Sequence, residues 1–312
     1  MGHFKVFPFE VIIHTKNLSQ NFILGSSYNR KFKNTVERIH KNTLTGNYGK
    51  PIDETKTMGN HRYSFYVAGH TYGTPASWID AKGLYEPFVE KFDLIRNHES
   101  MSFGFLTGDV VRSANNDAWD LVEKDIALLG IKTYIAPGNH DVKLGMSNPQ
   151  RDLFQQRFGK TYFSFLYNGD LFIVLDPNLD GWNISGKQLD FLKSTLEINQ
   201  NQVTNIFVFS HQLIWWDIKR LNFASIKPNS LNGRSQNTNF WDEVFPLFSS
   251  LNNKVYMFAG DVGAHPKGNE LFFTKHKNVS FFASGMGGGY RDNFLIVDVN
   301  EKYVYVDVIL LN

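Results

Sequence analysis

Two apolar segments that end in polar side chains, with an amphipathic segment between them, constrain the fold of this chain more than any other feature. The first, residues 103–106, is followed by Asp109, and the second, residues 131–136, is followed by Gly-Asn-His-Asp at 138–141. Residues 117–129 carry apolar side chains at helical spacing. Strand, helix and strand in this order predict a right-handed parallel crossover. Both polar ends should therefore lie at the sheet edge where ligands bind in open α/β folds.

Three further apolar segments end in a histidine or an aspartate, and these residues are His70, His211 and Asp261. A single Asp or His after a strand usually forms a turn or caps a helix. A succession of such strand ends in one chain instead favours a shared site, because carboxylate, imidazole and amide oxygen are ligands for divalent ions such as Mn, Fe or Zn. The chain has no cysteine, which excludes disulfides, thiolate metal sites and cysteine nucleophiles.

Composition limits the class of protein and of partner. The 312 residues include 32 basic and 30 acidic side chains, and this balance does not predict a nucleic-acid partner. No segment approaches the roughly 20 apolar residues of a membrane helix. The most apolar N-terminal piece, residues 6–13, is interrupted by Pro8 and Glu10, so we expect a soluble chain without an evident signal peptide. Neither the cellular location nor the oligomeric state follows from the sequence.

The chain divides at about residue 62. Residues 1–62 are predicted to be an N-terminal extension, with a short strand at 9–15 and a short helix at 29–41. Residues 63–312 are predicted to form the main domain, in which residues 84–97 have the pattern of one amphipathic helix.

The order of these motifs resembles that of the calcineurin-like metallophosphoesterases. Gly-Asn-His-Asp at the end of a strand is the most specific part, and segments 158–165, 172–176, 188–192 and 284–288 support the resemblance. The resemblance implies an α/β fold of two packed mixed β-sheets flanked by helices, in four αββα layers. It also implies the hydrolysis of a small or macromolecular phosphate ester, either a monoester or a diester, by water that one or two divalent ions activate.

The resemblance also implies a role for each motif residue. Asp109 would bridge two metal ions, and Asn139 and His211 would bind the second ion. His140 would lie beside the substrate and stabilise the leaving oxygen, with Asp141 orienting its ring.

Two motifs depart from the family pattern. The first strand of the family normally ends in Asp-x-His, where this chain has His70 and Tyr72, and the late Gly-His-x-His loop is Gly-Asp-Val-Gly at 260–263. His and Asp have exchanged places, which indicates an exchange of ligands. The first metal position keeps only His70 and Asp109 unless Tyr72 or His265 reaches it, and a packed aromatic is the commoner use of such a tyrosine. The second position keeps a full set, namely Asp109, Asn139, His211 and Asp261.

Three neighbouring features have two interpretations each. Residues 285–289, rich in glycine, either present backbone amides to a phosphate or form a tight turn between strands. Arg112 either clamps a phosphate or flanks a helix at the surface, and Trp215 and Trp216 either wall a pocket or cap the core.

Two other functions remain open. One is a binding or scaffold protein that has kept the fold and lost efficient chemistry, as the altered first position suggests. The other is a hydrolase of a different class that uses one metal. Metal content separates these hypotheses best, because a metal-free scaffold should carry none. The fold does not identify the substrate.

Overall fold

The computed structural model describes residues 13–15, 62–74, 82–264 and 269–311. The strands of this part are β1 Ile13–Thr15, β2 Tyr63–Gly69, β3 Met101–Thr107, β4 Lys132–Ala136, β5 Phe163–Tyr167, β6 Asp170–Val174, β7 Asn205–Ser210, β8 Lys254–Ala259, β9 Leu271–His276, β10 Val279–Ser284, β11 Asn293–Val299 and β12 Val304–Leu310. Its α-helices are α1 Glu86–Val89, α2 Phe92–Arg96, α3 Asn116–Leu129, α4 Asn139–Val142, α5 Pro149–Phe158, α6 Gly186–Asn199, α7 Leu221–Ala224 and α8 Phe245–Ser249.

The strands form two mixed sheets, in the order β1-β12-β11-β2-β3-β4 and β5-β6-β7-β8-β10-β9. In the first sheet β2, β3 and β4 are parallel, and in the second β6, β7, β8 and β10 are parallel. Parallel strands that begin on one side must end on the same side. The predicted α/β fold of two mixed sheets with flanking helices is confirmed.

Aromatic side chains fill the space between the two sheets. Successive residues of a strand face opposite sides, so Phe103 and Phe105 of β3 both point toward the second sheet. The ring of Phe105 lies 3.6 Å from the ring of Phe209 in β7, with 10° between their planes. Each such pair adds about 0.5–1.5 kcal/mol beyond the burial of its area. The packed rings hold the carboxyl ends of strands from both sheets at a fixed separation.

Helices cover the outer faces of the sheets. In α3 the side chain of Asn115 accepts a hydrogen bond from the Ala118 amide at 2.9 Å, and Gly130 ends the helix with φ 67°. The prediction of a helix over 117–129 is therefore confirmed. The single helix predicted over 84–97 is wrong, because the chain forms α1 and α2 with a break at residues 90–91.

Part of the predicted N-terminal extension belongs to the first sheet. Residues 13–15 form β1, which pairs in parallel with β12. The helix predicted at 29–41 lies outside the described residues, and the division of the chain at residue 62 stays a prediction.

Candidate metal centre

Four of the predicted site residues follow the carboxyl ends of parallel strands, and these residues are His70 after β2, Asp109 after β3, His211 after β7 and Asp261 after β8. The first two come from one sheet and the last two from the other. The sheets approach closely here, because a β-carbon on Gly69 would lie 2.4 Å from the α-carbon of Gly260. Glycine at both positions thus allows the two loops to meet.

The backbone turns sharply at His70 and Asp109. Both residues have left-handed conformations, with φ of 53° and 49°. The His70 amide donates to the Gly108 carbonyl at 3.0 Å, and the Tyr72 amide donates to the Asp109 carbonyl at 3.1 Å. The adjacent strand ends are therefore joined by direct backbone hydrogen bonds.

Asp109, His211 and Asp261 form a compact group of ligand atoms. One donor atom from each lies within 4.8 Å of the others. His211 Nε2 is 3.2 Å from Asp109 Oδ2 and 3.7 Å from Asp261 Oδ1. The residues are 3%, 0% and 2% exposed, so water contributes little to their solvation.

Backbone carbonyls fix the tautomers of two imidazoles. His211 Nδ1 lies 2.9 Å from the Thr107 carbonyl oxygen, and His70 Nδ1 lies 2.7 Å from that of Met286. Each Nδ1 must therefore carry a proton, which leaves Nε2 as the nitrogen that can bind an ion. His70 Nε2 lies 3.8 Å from Asp109 Oδ2. Both imidazoles thus present their Nε2 atoms to the same carboxylate.

The charges at the site are strongly coupled. Burial opposes ionisation of Asp109, but the positive charge of His211 holds the pKa of Asp109 below its usual range. Burial alone would lower the pKa of His211, yet Asp109 and Asp261 raise it to about 10. Burial also raises the pKa of Asp261 to about 8, and it lowers the pKa of His70 to about 4.

The donor set fits a divalent ion. Among the described residues, Asp261 Oδ2 is buried without a hydrogen-bond partner, an arrangement that proteins generally avoid unless another group binds there. Two carboxylates and an imidazole suit Mn, Fe or Zn. Asn139 begins α4, and its Oδ1 accepts at 3.4 Å from Nε2 of Gln212, the residue that follows His211.

His140 and Asp141 have different partners from those expected. His140 Nδ1 lies 2.6 Å from the Arg112 carbonyl oxygen, and the His140 amide donates to Asp109 Oδ1 at 3.1 Å. The Asp141 carboxylate accepts from the backbone amides of Val110, Val111 and Gly138. The expected contact in which Asp141 orients the His140 ring is therefore replaced. Arg112 holds the ring through its carbonyl, and Asp141 holds the loop that follows Asp109.

The family model for the calcineurin-like phosphoesterases matches residues 39–232 of this chain, which is more than half of it. The chain belongs to the calcineurin-like phosphoesterase family. The matched region includes His70, Asp109, Asn139, His140, Asp141 and His211, and Asp261 lies beyond it.

A solved structure has the same fold as this family member. It is the purple acid phosphatase PPD1 from yellow lupin (Lupinus luteus) seeds, at 13% identity and a TM-score of 0.56. The alignment covers 84% of this chain and 55% of the lupin chain. No curated protein matched the sequence. Among the described residues, no helix is long and apolar enough to cross a membrane.

The first metal position of the family is not completed by the described residues. The Tyr72 ring packs on His70 with 4.3 Å between centroids, and burial raises the pKa of its phenol well above the ordinary value. Gly263 has no side chain to offer, and a β-carbon there would lie 2.9 Å from the Met286 amide nitrogen. His265 lies outside the described part of the chain. Among the described residues, His70 and Asp109 are the predicted ligands of this position that lie close together.

The glycine-rich loop and Trp215 have structural roles. Asp292 accepts hydrogen bonds from the backbone amides of Gly287, Gly288 and Gly289 at 2.7–3.1 Å, which confirms the tight-turn interpretation. The side chain of Trp215 is fully buried in the core on the outer face of the second sheet. Sequence reasoning missed Asp292 because an aspartate between two strands carries no distinguishing signal.

Proposed function

We propose that this chain is a divalent-metal-dependent hydrolase of phosphate esters. The buried group of Asp109, His211 and Asp261, placed where both sheets end, is the observation that carries the proposal. Membership of the calcineurin-like phosphoesterase family supports it. The lupin acid phosphatase shares the fold at low identity and is consistent with it.

The chain's own side chains would hold one Mn, Fe or Zn ion through Asp109, Asn139, His211 and Asp261. Such an ion polarises a phosphoryl oxygen and lowers the pKa of water so that water can attack phosphorus. The burial of these residues, at 0–3% exposure for the three ionisable ones, strengthens the electrostatic attraction between their carboxylates and a bound cation.

His140 would act as the general acid. Its Nδ1 proton is held by the Arg112 carbonyl, so Nε2 is the nitrogen left to meet a substrate oxygen. In the imidazolium form Nε2 carries a proton that passes to the leaving oxygen as its bond to phosphorus breaks. His140 is half-buried, which keeps it within reach of a ligand from solvent.

The variant Asp109→Ala tests the ligand assignment. We expect it to lose bound metal, because Asp109 is the carboxylate that faces both histidines. Elemental analysis of the purified protein provides the measurement, with Asp170→Asn as the matched control. Asp170 is also a buried carboxylate, but it accepts from Tyr63 and Asn205 at the opposite ends of the strands. Full metal stoichiometry in Asp109→Ala would show that the assignment is wrong.

Turnover of a chromogenic phosphomonoester and a chromogenic phosphodiester by the metal-loaded protein tests the reaction. We expect hydrolysis of at least one, and the comparison determines whether the enzyme is a monoesterase or a diesterase. Metal-loaded protein that hydrolyses neither would favour the scaffold hypothesis, which the incomplete first position motivates.

A further inference from the structure

A line of buried polar side chains runs through the protein toward the metal centre. It starts at Arg151, whose guanidinium donates to the Asp176 carboxylate and to the Gly145 carbonyl. Asp176 accepts in turn from both the backbone amide and the side-chain amide of Asn178, at 3.1 and 3.0 Å. These three residues are 0–2% exposed, so water does not compete for their hydrogen bonds.

The hydrogen bonds of Asn178 fix the orientation of its amide. Its Nδ2 donates to Asp176 Oδ1 and to the Pro137 carbonyl at 2.9 Å. Both partners can only accept, so the nitrogen must face them and Oδ1 must face the other way. Gln212 Nε2 donates to this Oδ1 at 2.5 Å.

The orientation of the Gln212 amide in turn fixes the orientation of the Asn139 amide. Because Asn178 Oδ1 requires a donor, the Gln212 nitrogen faces it, and the second proton of that nitrogen points to Asn139 Oδ1 at 3.4 Å. If the Asn139 amide were inverted, its NH₂ group would meet another NH₂ group. Gln212 follows His211 in the chain, so this line enters the centre beside one of its candidate ligands.

We propose that Gln212 is a positioning residue that holds Asn139 with its amide oxygen available for the metal ion, an inference that rests on the proposed function. An amide binds a hard or borderline cation through oxygen, and Asn139 Oδ1 has a lone pair left after it accepts from Gln212. Neighbours that orient a ligand in this way typically affect metal affinity or activity about 10- to 100-fold. Arg151, Asp176 and Asn178 then set the orientation of Gln212 itself.

Gln212→Met removes the side-chain donor and so tests whether Asn139 needs it. Methionine has a similar length and no N–H group, and Gln212 Oε1 has no hydrogen-bond partner whose loss would complicate the change. We expect Mn²⁺ to bind about 10- to 100-fold more weakly in calorimetric titration. Affinity of Gln212→Met equal to that of the wild type would overturn the proposal.

A double-mutant cycle separates positioning from general damage. In an Asn139→Ala background, Gln212→Met should cause no further loss of Mn²⁺ affinity, because the residue it positions is gone. An equal loss in both backgrounds would show that Gln212 acts through another route and would overturn the proposal. Thermal unfolding of each variant checks that it is folded.

Asn253→Leu is the matched control. Asn253 is also a buried amide, and its Nδ2 donates to the carbonyls of Gln200 and Val203 away from the centre. We expect lower stability with unchanged Mn²⁺ affinity. If the wild type binds Mn²⁺ and Gln212→Met binds it equally well, the positioning role is refuted and the proposed function is not. Wild-type protein that binds no divalent ion refutes the proposed function as well.

Discussion

His211 lies between two carboxylates that both increase its affinity for a proton. Its pKa is raised to about 10, and burial raises the pKa of Asp261 to about 8. The pair of His211 and Asp261 therefore holds at least one proton in the metal-free protein at neutral pH. An ion bound to them must displace any proton that they hold there, because a ligand nitrogen or oxygen has to offer its lone pair to the metal.

Metal affinity should consequently rise with pH. Below both pKa values each displaced proton weakens apparent binding, by up to about tenfold per pH unit for each proton. We expect Zn²⁺ to bind far more tightly at pH 8 than at pH 6, with up to two protons released from these two residues near neutral pH. Calorimetry in buffers of different ionisation enthalpy measures both quantities. Equal affinities at the two pH values would show that ion binding displaces no proton from His211 or Asp261.

The role of His140 can be separated from that of the ligands. His140→Ala removes the imidazole and keeps the backbone amide that donates to Asp109. We expect turnover of a phosphate ester to fall about 10²- to 10⁴-fold, the range typical of a general acid, with metal content unchanged. His98→Ala serves as a control, because His98 pairs with Asp298 at the surface. Loss of metal together with activity would identify His140 as a ligand instead.

At the level of elements, the sequence predicts well where strong local signals agree. Helix α3 has a periodic apolar face, an Asn cap and a terminal glycine, and its bounds differ from the prediction by one residue. Within this helix the apolar Leu121 is 37% exposed, while Trp119 is fully buried. Local periodicity cannot decide which of two adjacent faces of the helix is buried, because packing against the sheet determines that.

Contacts between distant residues leave no such signal. Gln212 reaches Asn178 and Asn139, which are 34 and 73 residues away along the chain. The histidines and aspartates of the centre could be anticipated because each follows an apolar strand. The amides that orient them could not, since a Gln or Asn at such a position is equally common on a surface.

The turn held by Asp292 should matter for stability. Its carboxylate accepts from three consecutive backbone amides, and the same loop carries the Met286 carbonyl that binds His70. Asp292→Ala leaves these donors without their partner, which we expect to lower the free energy of unfolding by about 1–3 kcal/mol. Urea denaturation measures the change. Asp292→Asn retains one acceptor oxygen and should lose less, and a larger loss for Asn than for Ala would contradict this account.

On the scale of the whole molecule, the candidate centre joins the two sheets. His70 and Asp109 follow strands of the first sheet, and His211 and Asp261 follow strands of the second. The aromatic layer holds the sheets together below this edge. A bound ion would connect them again at the edge itself, where two carboxylates otherwise face each other across a buried histidine.

Metal should therefore stabilise the folded protein. An ion that binds only the native state contributes about 2.7 kcal/mol at a concentration 100 times its Kd. We expect Mn²⁺ or Zn²⁺ to raise the melting temperature of the wild type and of Asp170→Asn, and a chelator to reverse the increase. Asp109→Ala should show no such shift in differential scanning calorimetry. An equal shift in Asp109→Ala would place the stabilising ion elsewhere.

The left-handed backbone at His70 and Asp109 also bears on how such a centre can evolve. Apart from glycine, the residues that best tolerate this conformation are Asn, Asp and His, which are also ligands for borderline metal ions. Their codons differ only in the first base. A single nucleotide change at either position thus often replaces one ligand with another while the turn keeps its shape. The two sheets can stay fixed while the ligand type at their edge changes.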